Sequence, residues 1–288
     1  MIEDPQSINE KPACGRAETA RFELAIQFPI YNFLPTCRDF FNHSHLVSLY
    51  LASVKYFVKT PWWLKKIYGG YTWSIPVEDN KIYLSFDDGP HPLATPFVLD
   101  LLKQYGATGS FFCIGKNVLA HPAIYQRILD EGHTVGNHTQ HHLNGWKTAD
   151  AAYVNDVAEA QKHIDSRLFR PPYGRISSFQ ARQVKTLLGA DSRIVMWDVI
   201  SGDFDVDIDN ERCLQNVILN AGKGSIVVFH DSEKAFEKLK YTLPRVLQYF
   251  DQRGYQFCGL NEHAVPMIAK EINEGEEEDK RIETGRKS

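Results

Sequence analysis

From residue 81 onward, short apolar runs alternate with amphipathic segments, and this rhythm constrains the fold more than any other feature of the sequence. Seven such runs occur by this periodicity, at 81–86, 109–114, 133–136, 166–169, 193–197, 225–229 and 255–260. The sixth run is apolar almost throughout, as is typical of a parallel strand that is buried on both faces. Strand–helix repetition with right-handed crossovers predicts a parallel sheet. We therefore expect an α/β fold, which is either a barrel one strand short of eight or an open doubly wound sheet.

The segments between the runs carry the start and stop signals of helices. In 121–131, Pro122 suits a first helical turn and Gly132 ends the segment. Ile124 and Ile128 lie one helical turn apart, so they share the face that is expected to pack on the sheet. Four more helices are predicted at 148–164, 178–188, 211–221 and 233–253.

Charge, cysteine content and hydropathy exclude several classes of protein. The net charge of −4 gives no basic field that would attract nucleic acid or an anionic membrane. Five widely spaced cysteines without a C-x-x-C pair predict reduced thiols rather than a disulfide framework or a cysteine zinc site. The apolar stretch 46–58 is broken by Lys55 and is shorter than the roughly 20 residues of a membrane span. No secretory signal is visible, which favours a cytoplasmic protein.

Polar side chains of catalytic type follow five of the predicted strands. They are Asp87 and Asp88 after the first run, Asn137, His138 and His142 after the third, Arg170 to Gly174 after the fourth, Asp198 and Asp203 after the fifth, and His230 and Asp231 after the sixth. Because the carboxyl ends of parallel strands meet at one edge, we expect all of these side chains to converge on one rim.

Each of these motifs also has a purely structural interpretation. Asp87 and Asp88 precede Gly-Pro, and such a sequence is common in turns. The two prolines of 170–174 can serve only to stiffen a turn. His230 can be a hydrogen-bonded core histidine. The structural interpretation, however, requires five coincidences at the same edge of one fold.

Taken together, the motifs predict a metal-assisted hydrolase. One carboxylate and two imidazoles provide three metal ligands and leave coordination positions for water or substrate. A second carboxylate beside the metal can take a proton from that water, and an arginine can keep this base ionised and oriented. A histidine across the site, supported by an aspartate, can protonate a leaving amine.

The order of the motifs resembles that of the polysaccharide deacetylases of the NodB-homology type, carbohydrate esterase family 4, over about residues 79–263. The motifs are SFDDGP (85–90), HTQHH (138–142), RPPYG (170–174), WDVISGDF (197–204) and VFH (228–230). The resemblance implies a distorted, incomplete (β/α)7 barrel. It also implies removal of N-acetyl groups from amino-sugar polymers such as chitin or peptidoglycan glycan, with a divalent metal that is usually zinc.

The resemblance assigns a role to eight positions: Asp87 as the general base, Arg170 as the residue that orients it, Asp88, His138 and His142 as the metal ligands, the Tyr173 backbone N–H as an oxyanion donor, His230 as the general acid, and Asp203 as its tuning carboxylate. His141 lies within the histidine motif but matches no family ligand. Phe204 and Val228 stand where the family often has Trp and Leu. Both are apolar wall positions, so we expect them to alter substrate fit rather than the chemistry.

Composition, the strand–helix rhythm and the resemblance together predict how the chain is divided. We expect an N-terminal extension over 1–57 that is poorly ordered or wrongly annotated, a lead-in segment over 58–78 that packs on the barrel, the deacetylase domain over 79–263, and an acidic solvated tail over 271–288. In the lead-in, Trp62 and Trp63 are expected to face the barrel and Lys65 and Lys66 the solvent. Similar proteins begin near residue 57, so translation is expected to start near Val54 from a non-AUG codon.

Three other functions are compatible with parts of this pattern. Two histidines and a carboxylate also describe non-haem iron oxygenases, although the paired Asp87 argues against them. The other two alternatives are a de-O-acetylase acting on a carbohydrate such as xylan and a glycan-binding protein that has lost catalysis. Family substrates often lie in the cell wall, so association with the cell envelope stays open beside the cytoplasmic prediction.

Overall fold

The computed structural model describes residues 56–260. The predictions for the tail 271–288, for the start near Val54 and for all but the last two residues of the 1–57 extension lie outside the described residues. The described part contains eight strands, which are β1 Lys81–Asp87, β2 Ser110–Cys113, β3 Thr134–Asn137, β4 Leu168–Phe169, β5 Arg193–Ile194, β6 Val199–Ile200, β7 Ile226–His230 and β8 Gln256–Cys258.

All eight strands form one parallel sheet in the order β5-β4-β3-β2-β1-β7-β6, and β8 pairs with the first half of β1. The sheet curls into a half-barrel with β5 and β6 as its two ends. This confirms the predicted α/β fold and incomplete (β/α) barrel. Of the predicted strand 193–197, only Arg193–Ile194 is a strand, β5. The chain then leaves that end of the sheet and enters the other end as β6, which lies beyond the predicted run.

The described residues contain eight α-helices, of which the first precedes β1 and the other seven connect strands: α1 Trp62–Ile67, α2 Ala94–Gln104, α3 Gly115–Ala120, α4 Pro122–Asp130, α5 Asp150–Gln161, α6 Ser178–Leu188, α7 Asn210–Ile218 and α8 Phe236–Asp251. Local capping explains where several of them begin. Pro122 occupies the first turn of α4, and Ser177 and Gln180 form a capping box at the start of α6. No helix within residues 56–260 is both long enough and apolar enough to cross a membrane.

The two central strands β1 and β7 lie in the core, packed against the helices. Leu84 and Phe86 in β1 and Val227 in β7 are completely buried. Full burial of each such side chain contributes about 1.5–3 kcal/mol relative to leaving it exposed. Cys113 and Cys213 are free thiols buried in this part of the chain. Packing in the core therefore fixes β1 and β7, the two strands that end in Asp87 and His230.

The segment before β1 lies against both ends of the open sheet. The Ile200 N–H in β6 donates to the Val58 carbonyl over 2.9 Å, and the Thr72 N–H donates to the Ile194 carbonyl in β5 over 2.9 Å. The edges of an open sheet otherwise leave backbone groups unpaired. The lead-in segment thus supplies hydrogen-bond partners to the two end strands.

The expected side-chain orientation in α1 was wrong for Trp62, Trp63 and Lys65, whereas Lys66 is exposed as expected. Trp62 is 70% exposed and Trp63 is 44% exposed, whereas Lys65 points inward and forms an ion pair with Asp198. Lys59 binds the same carboxylate over 2.5 Å. Burying an unpaired carboxylate costs free energy. Asp198 is therefore paired with lysines, and the tryptophans stay on the exposed side of the helix.

The expectation that Asp198 joins the catalytic rim was also wrong. Its carboxylate accepts a hydrogen bond from the Ser225 hydroxyl over 2.6 Å, and Ser225 directly precedes β7. His230 is the last residue of the same strand. Asp198 therefore lies at the amino ends of the strands, opposite the carboxyl ends. Burial acts to raise its pKa, but the two lysines outweigh burial and lower it.

Candidate active site

The candidate site lies at the carboxyl ends of β1, β3, β4 and β7. Asp87 and His230 are the last residues of β1 and β7, and they stand directly opposite each other in the ladder of these two strands. The loop after β3 is held at the same edge, because the His138 N–H donates to the Cys113 carbonyl over 3.0 Å. The Arg170 N–H in turn donates to the Asn137 carbonyl over 3.0 Å. The parallel sheet thus brings distant motifs together, as the sequence predicts.

Asp88, His138 and His142 form a cluster whose potential ligand atoms lie within 4.8 Å of one another. Asp88 Oδ1 is 3.1 Å from His142 Nε2 and 3.6 Å from His138 Nε2. This oxygen is buried and has no hydrogen-bond partner among the described residues. One carboxylate and two imidazoles that face one another in this way fit a divalent cation with coordination positions left over.

The surrounding backbone fixes the orientation of the cluster. His138 Nδ1 is 2.7 Å from the Arg170 carbonyl. Because a carbonyl only accepts, Nδ1 carries the proton and the lone pair lies on Nε2, the atom nearest Asp88. The Asn117 side chain donates to the Asp88 carbonyl over 2.7 Å and so holds the neighbouring backbone.

The electrostatics of the cluster suit metal ligands, which must be an ionised carboxylate and neutral imidazoles. Burial lowers the pKa of His138 to about 4, so this ring is neutral at pH 7. Burial acts to raise the pKa of Asp88, but the contact with His142 and the nearby imidazoles of His230 and His138 hold it well below its usual range.

Backbone strain is concentrated around the cluster. The non-glycine residues with positive φ among those described are Asp88 (81°), Thr139 (65°), His142 (58°) and Tyr173 (60°). Each of them lies in a loop that carries a candidate site residue. Left-handed backbone is unfavourable for L-residues and persists where the surrounding contacts enforce it, as is common at functional sites.

Asp87 is paired with the buried guanidinium of Arg170. Arg170 Nη1 donates to Asp87 Oδ1 over 2.6 Å and to the Ser85 hydroxyl over 2.9 Å. The Nε and Nη2 atoms donate to the carbonyls of Val195 and Met196 over 3.1 and 3.0 Å. Arg170 is completely buried, so these partners fix the guanidinium and, through it, the Asp87 carboxylate.

His230 is paired with Asp203, which is fully buried. His230 Nδ1 lies 2.8 Å from Asp203 Oδ1, and the His230 N–H donates to Asp203 Oδ2 over 2.7 Å. Burial acts to lower the pKa of His230, but the charge and hydrogen bond of Asp203 outweigh it and raise the pKa to about 9. The imidazolium is therefore favoured at neutral pH, and Nε2 is the atom that can release a proton.

Tyr173 and Phe204 border the site on different sides. The Tyr173 ring centroid lies 4.6 Å from that of His142, and its side chain is 60% exposed. Phe204 packs edge-on against His230 with a centroid distance of 5.0 Å, and Tyr56 lies behind Phe204 at 5.2 Å. Phe204, which stands where the family often has Trp, therefore contacts His230, the predicted general acid. Val228 is completely buried in β7.

Asp231 supports the first motif, a role that the sequence does not reveal. Its Oδ1 accepts from the Gly89 N–H over 3.1 Å, and its Oδ2 accepts from the Thr95 hydroxyl. A Cβ on Gly89 would lie 2.1 Å from Asp231 Oδ2, which explains the glycine next to Asp88. Asp231 was expected at this edge only because it follows a strand, and its partners are distant in sequence.

His141 does not point to the cluster. Its Nδ1 lies 2.6 Å from Asp156 Oδ1 on α5, and its backbone N–H donates to Asp156 Oδ2 over 2.9 Å. The Gln140 N–H donates to the same oxygen over 3.0 Å. Asp156 therefore anchors the loop between His138 and His142. No pattern in the sequence marks Asp156 for this role.

Comparison with known proteins agrees with this geometry. The family model for polysaccharide deacetylases matches residues 74–191. A peptidoglycan-N-acetylglucosamine deacetylase of Bacillus cereus is 34% identical over 200 residues, which are 67% of this chain and 92% of the relative. A chitooligosaccharide deacetylase of Azorhizobium caulinodans is 34% identical over 164 residues, 54% of this chain and 76% of the relative.

A solved structure shares the fold. The crystal structure of the Bc1960 peptidoglycan N-acetylglucosamine deacetylase, in complex with an N-oxidanyl-benzamide, has a TM-score of 0.62 at 29% identity. The match covers 70% of this chain and 95% of that chain. With the matched family model, the extent of the Bacillus cereus match and the shared half-barrel, the chain belongs to the polysaccharide deacetylases of the NodB-homology type, carbohydrate esterase family 4.

Proposed function

We propose that this protein is a metal-dependent hydrolase that removes N-acetyl groups from an amino-sugar polysaccharide or oligosaccharide. It acts on carbon–nitrogen bonds other than peptide bonds. The observation that carries the proposal is the position of the Asp88 cluster at the strand ends where Asp87 and His230 face each other. A proton acceptor, a metal site with three ligands and a proton donor can then act on the same acetamido group.

Asp88, His138 and His142 would hold the metal. The donor set of two neutral imidazoles and one carboxylate suits zinc, and we propose zinc as the ion. A divalent cation bound there supplies Lewis acidity toward the amide carbonyl and lowers the pKa of a water molecule in the site.

Asp87 is the proposed general base. Hydrolysis adds water across the C–N bond, so the water must lose a proton as its oxygen bonds to the carbonyl carbon. Arg170 holds Asp87 through a 2.6 Å hydrogen bond to Oδ1, which leaves Oδ2 to accept that proton. The base keeps a single orientation because the other guanidinium nitrogens are fixed by backbone carbonyls.

His230 and the Tyr173 backbone complete the proposed reaction. The Tyr173 N–H, in a turn stiffened by Pro171 and Pro172, is the proposed donor to the oxyanion that forms at the carbonyl. His230 Nε2 gives a proton to the departing nitrogen while Asp203 stabilises the ring. The products are acetate and a free amine on the sugar.

The names of the relatives support an amino-sugar substrate. The Bacillus cereus protein is named for peptidoglycan N-acetylglucosamine, and the Azorhizobium protein is named for chitooligosaccharide. Both names specify an N-acetylated glucosamine unit in a glycan. We propose that residues 79–263 form the catalytic domain and that residues 58–78 precede it as a lead-in. The cytoplasmic location stays a prediction beside association with the cell envelope.

An acetate-release screen tests this proposal. Protein loaded with zinc, or with another defined divalent ion, is incubated with chitooligosaccharides, peptidoglycan, acetylated xylan and small N-acetyl sugars. We expect acetate and new primary amines in equal amounts from the amino-sugar polymers. Acetate from xylan alone would establish a de-O-acetylase instead. Binding of chitooligosaccharide without acetate release would establish a glycan-binding protein.

A further inference from the structure

The loop that follows His142 carries an exposed tryptophan that none of the proposed chemistry uses. Trp146 is 60% exposed. It lies in a short 3₁₀ turn, Gly145–Lys147, only four residues after a proposed metal ligand. A single exposed Trp needs no ligand by itself, but a Trp this close in the chain to a metal ligand is a candidate contact for a substrate that binds there.

Trp146 is held in one orientation from two sides. Its indole Nε1 donates to the Ile176 carbonyl over 3.2 Å, and its backbone N–H donates to the Asn144 side chain over 3.1 Å. The Arg175 guanidinium lies over the ring, 4.1 Å from its centroid. A cation at this distance covers one face of the indole and leaves the exposed area on the remaining surface.

The turn that carries Trp146 is also anchored to α6. The Gln180 side chain, which caps this helix, donates to the Gly145 carbonyl over 2.9 Å. A Cβ on Gly145 would lie 2.4 Å from the Arg175 carbonyl, so the glycine permits the close approach of the two loops. Trp146 is therefore preorganised, and binding a ligand there costs little conformational entropy.

The loop after β4 connects Trp146 with the candidate active site. Arg175, which stacks on Trp146, is two residues after Tyr173, and the Tyr173 ring lies 4.6 Å from that of His142. Tyr173 is itself 60% exposed. One loop therefore carries both the exposed aromatic ring that lies on His142 and the guanidinium that lies on Trp146.

We propose that Trp146, braced by Arg175, is a subsite that stacks against a sugar ring of the same glycan chain, away from the unit that is deacetylated. Sugar rings present apolar C–H faces that pack against flat aromatic surfaces, while their hydroxyl groups stay in water. The inference rests on the proposed function and narrows its substrate class: the enzyme prefers oligomers long enough to reach Trp146 over single N-acetyl sugars.

Acetate release from N-acetylglucosamine oligomers of increasing length tests the subsite. The variant Trp146→Ala should raise KM about tenfold for the long oligomers, with kcat and bound metal preserved. It should leave kcat/KM for the monomer unchanged. Trp146→Tyr should recover part of the loss on long oligomers, because it restores a flat ring.

The matched control is Trp62→Ala. Trp62 is 70% exposed, and Lys66 lies over its ring at 5.2 Å, so it has the same kind of environment. Its helix lies by Asp198 at the amino ends of the strands, away from the candidate site. This variant should keep the wild-type dependence on chain length.

The outcomes separate the subsite from the proposed function. Equal losses at every oligomer length in Trp146→Ala, or no loss on long oligomers, would overturn the subsite while wild-type acetate release stands. Calorimetric binding of the deacetylated glucosamine oligomer to the wild-type and variant proteins needs no turnover. We expect binding to weaken about tenfold in Trp146→Ala, and equal affinities would again overturn the subsite.

Discussion

Arg170 places a fully buried guanidinium 2.6 Å from Asp87 Oδ1 and donates three further hydrogen bonds to the Ser85 hydroxyl and two backbone carbonyls. A lysine cannot make this set of contacts, because its ammonium is a single point with no planar fork. The proposed general base therefore depends on a residue that lies behind it and never contacts substrate.

The first prediction concerns Arg170. Replacing it with Met should lower the free energy of unfolding by about 3–5 kcal/mol, because the Asp87 charge is left buried without a partner. Arg170→Lys keeps the charge and should fold, but kcat should fall by about 10- to 100-fold with little change in KM, because Asp87 loses its fixed orientation. Denaturant titration and steady-state kinetics measure the two effects. Full kcat in Arg170→Lys would remove the proposed positioning role.

The second prediction concerns the metal donors. His138→Ala and His142→Ala should each weaken zinc binding by more than about 100-fold, since each removes a ligand from a three-donor site. His141→Ala is the matched control, because this histidine pairs with Asp156 and should leave zinc affinity unchanged. Competitive zinc titration against a chelator measures all three variants. Wild-type affinity in both ligand variants would contradict the assignment.

The third prediction concerns pH. With Asp203 in place, the pKa of His230 is about 9, so the imidazolium persists at neutral pH and is lost as the pH rises through that value. Asp203→Asn removes the largest of the charges that raise this pKa and leaves burial, which lowers it, opposed only by the more distant Asp88 and Asp87. The alkaline limb of kcat/KM should therefore move to lower pH, and the His230 resonance in the metal-free protein should titrate lower by NMR. An unmoved alkaline limb would exclude Asp203 from the mechanism.

The fourth prediction concerns Asp231. Burial raises its pKa from 3.8 to about 8, so the folded state holds a proton that the unfolded state has already released. Stability attributable to this group is fully present below pH 3.8 and is lost as the pH rises toward 8. Asp231→Asn should flatten that decline and keep the bond from the Gly89 N–H, whereas Asp231→Ala should lose the bond. The free energy of unfolding of the metal-free proteins, measured by denaturant titration at pH 5 and pH 8, tests this prediction. The same change in that free energy between the two pH values in the wild type and in Asp231→Asn would contradict it.

The sequence predicts the strands and the motif at the end of each, because periodicity and strand direction are local properties. It does not predict β6, since Val199–Ile200 is too short to show a period. Asp198 and Asp203 lie five residues apart and look alike in the sequence, yet one pairs with lysines of the lead-in segment and the other with His230. Only the tertiary arrangement distinguishes them.

Partners that support the site are the least predictable part. Asp156 lies on an amphipathic helix, where a carboxylate normally faces solvent, and its contact with the histidine loop depends on how α5 packs. Trp146 follows His142 in the sequence, but its exposure depends on Arg175 and Ile176 in a different loop. Such roles arise from contacts between segments, which no single stretch of sequence encodes.

The central claim is tested most directly by the time course of acetate release from an N-acetylglucosamine oligomer, measured with zinc-loaded wild-type protein and zinc-loaded Asp87→Asn. The wild type should release acetate and expose primary amines in equal amounts without shortening the oligomer. Asp87→Asn should keep its zinc and lose at least about 100-fold in kcat, because only the proton acceptor is removed. A folded, zinc-loaded wild type that releases no acetate, or an Asp87→Asn variant that works at the wild-type rate, would contradict the account.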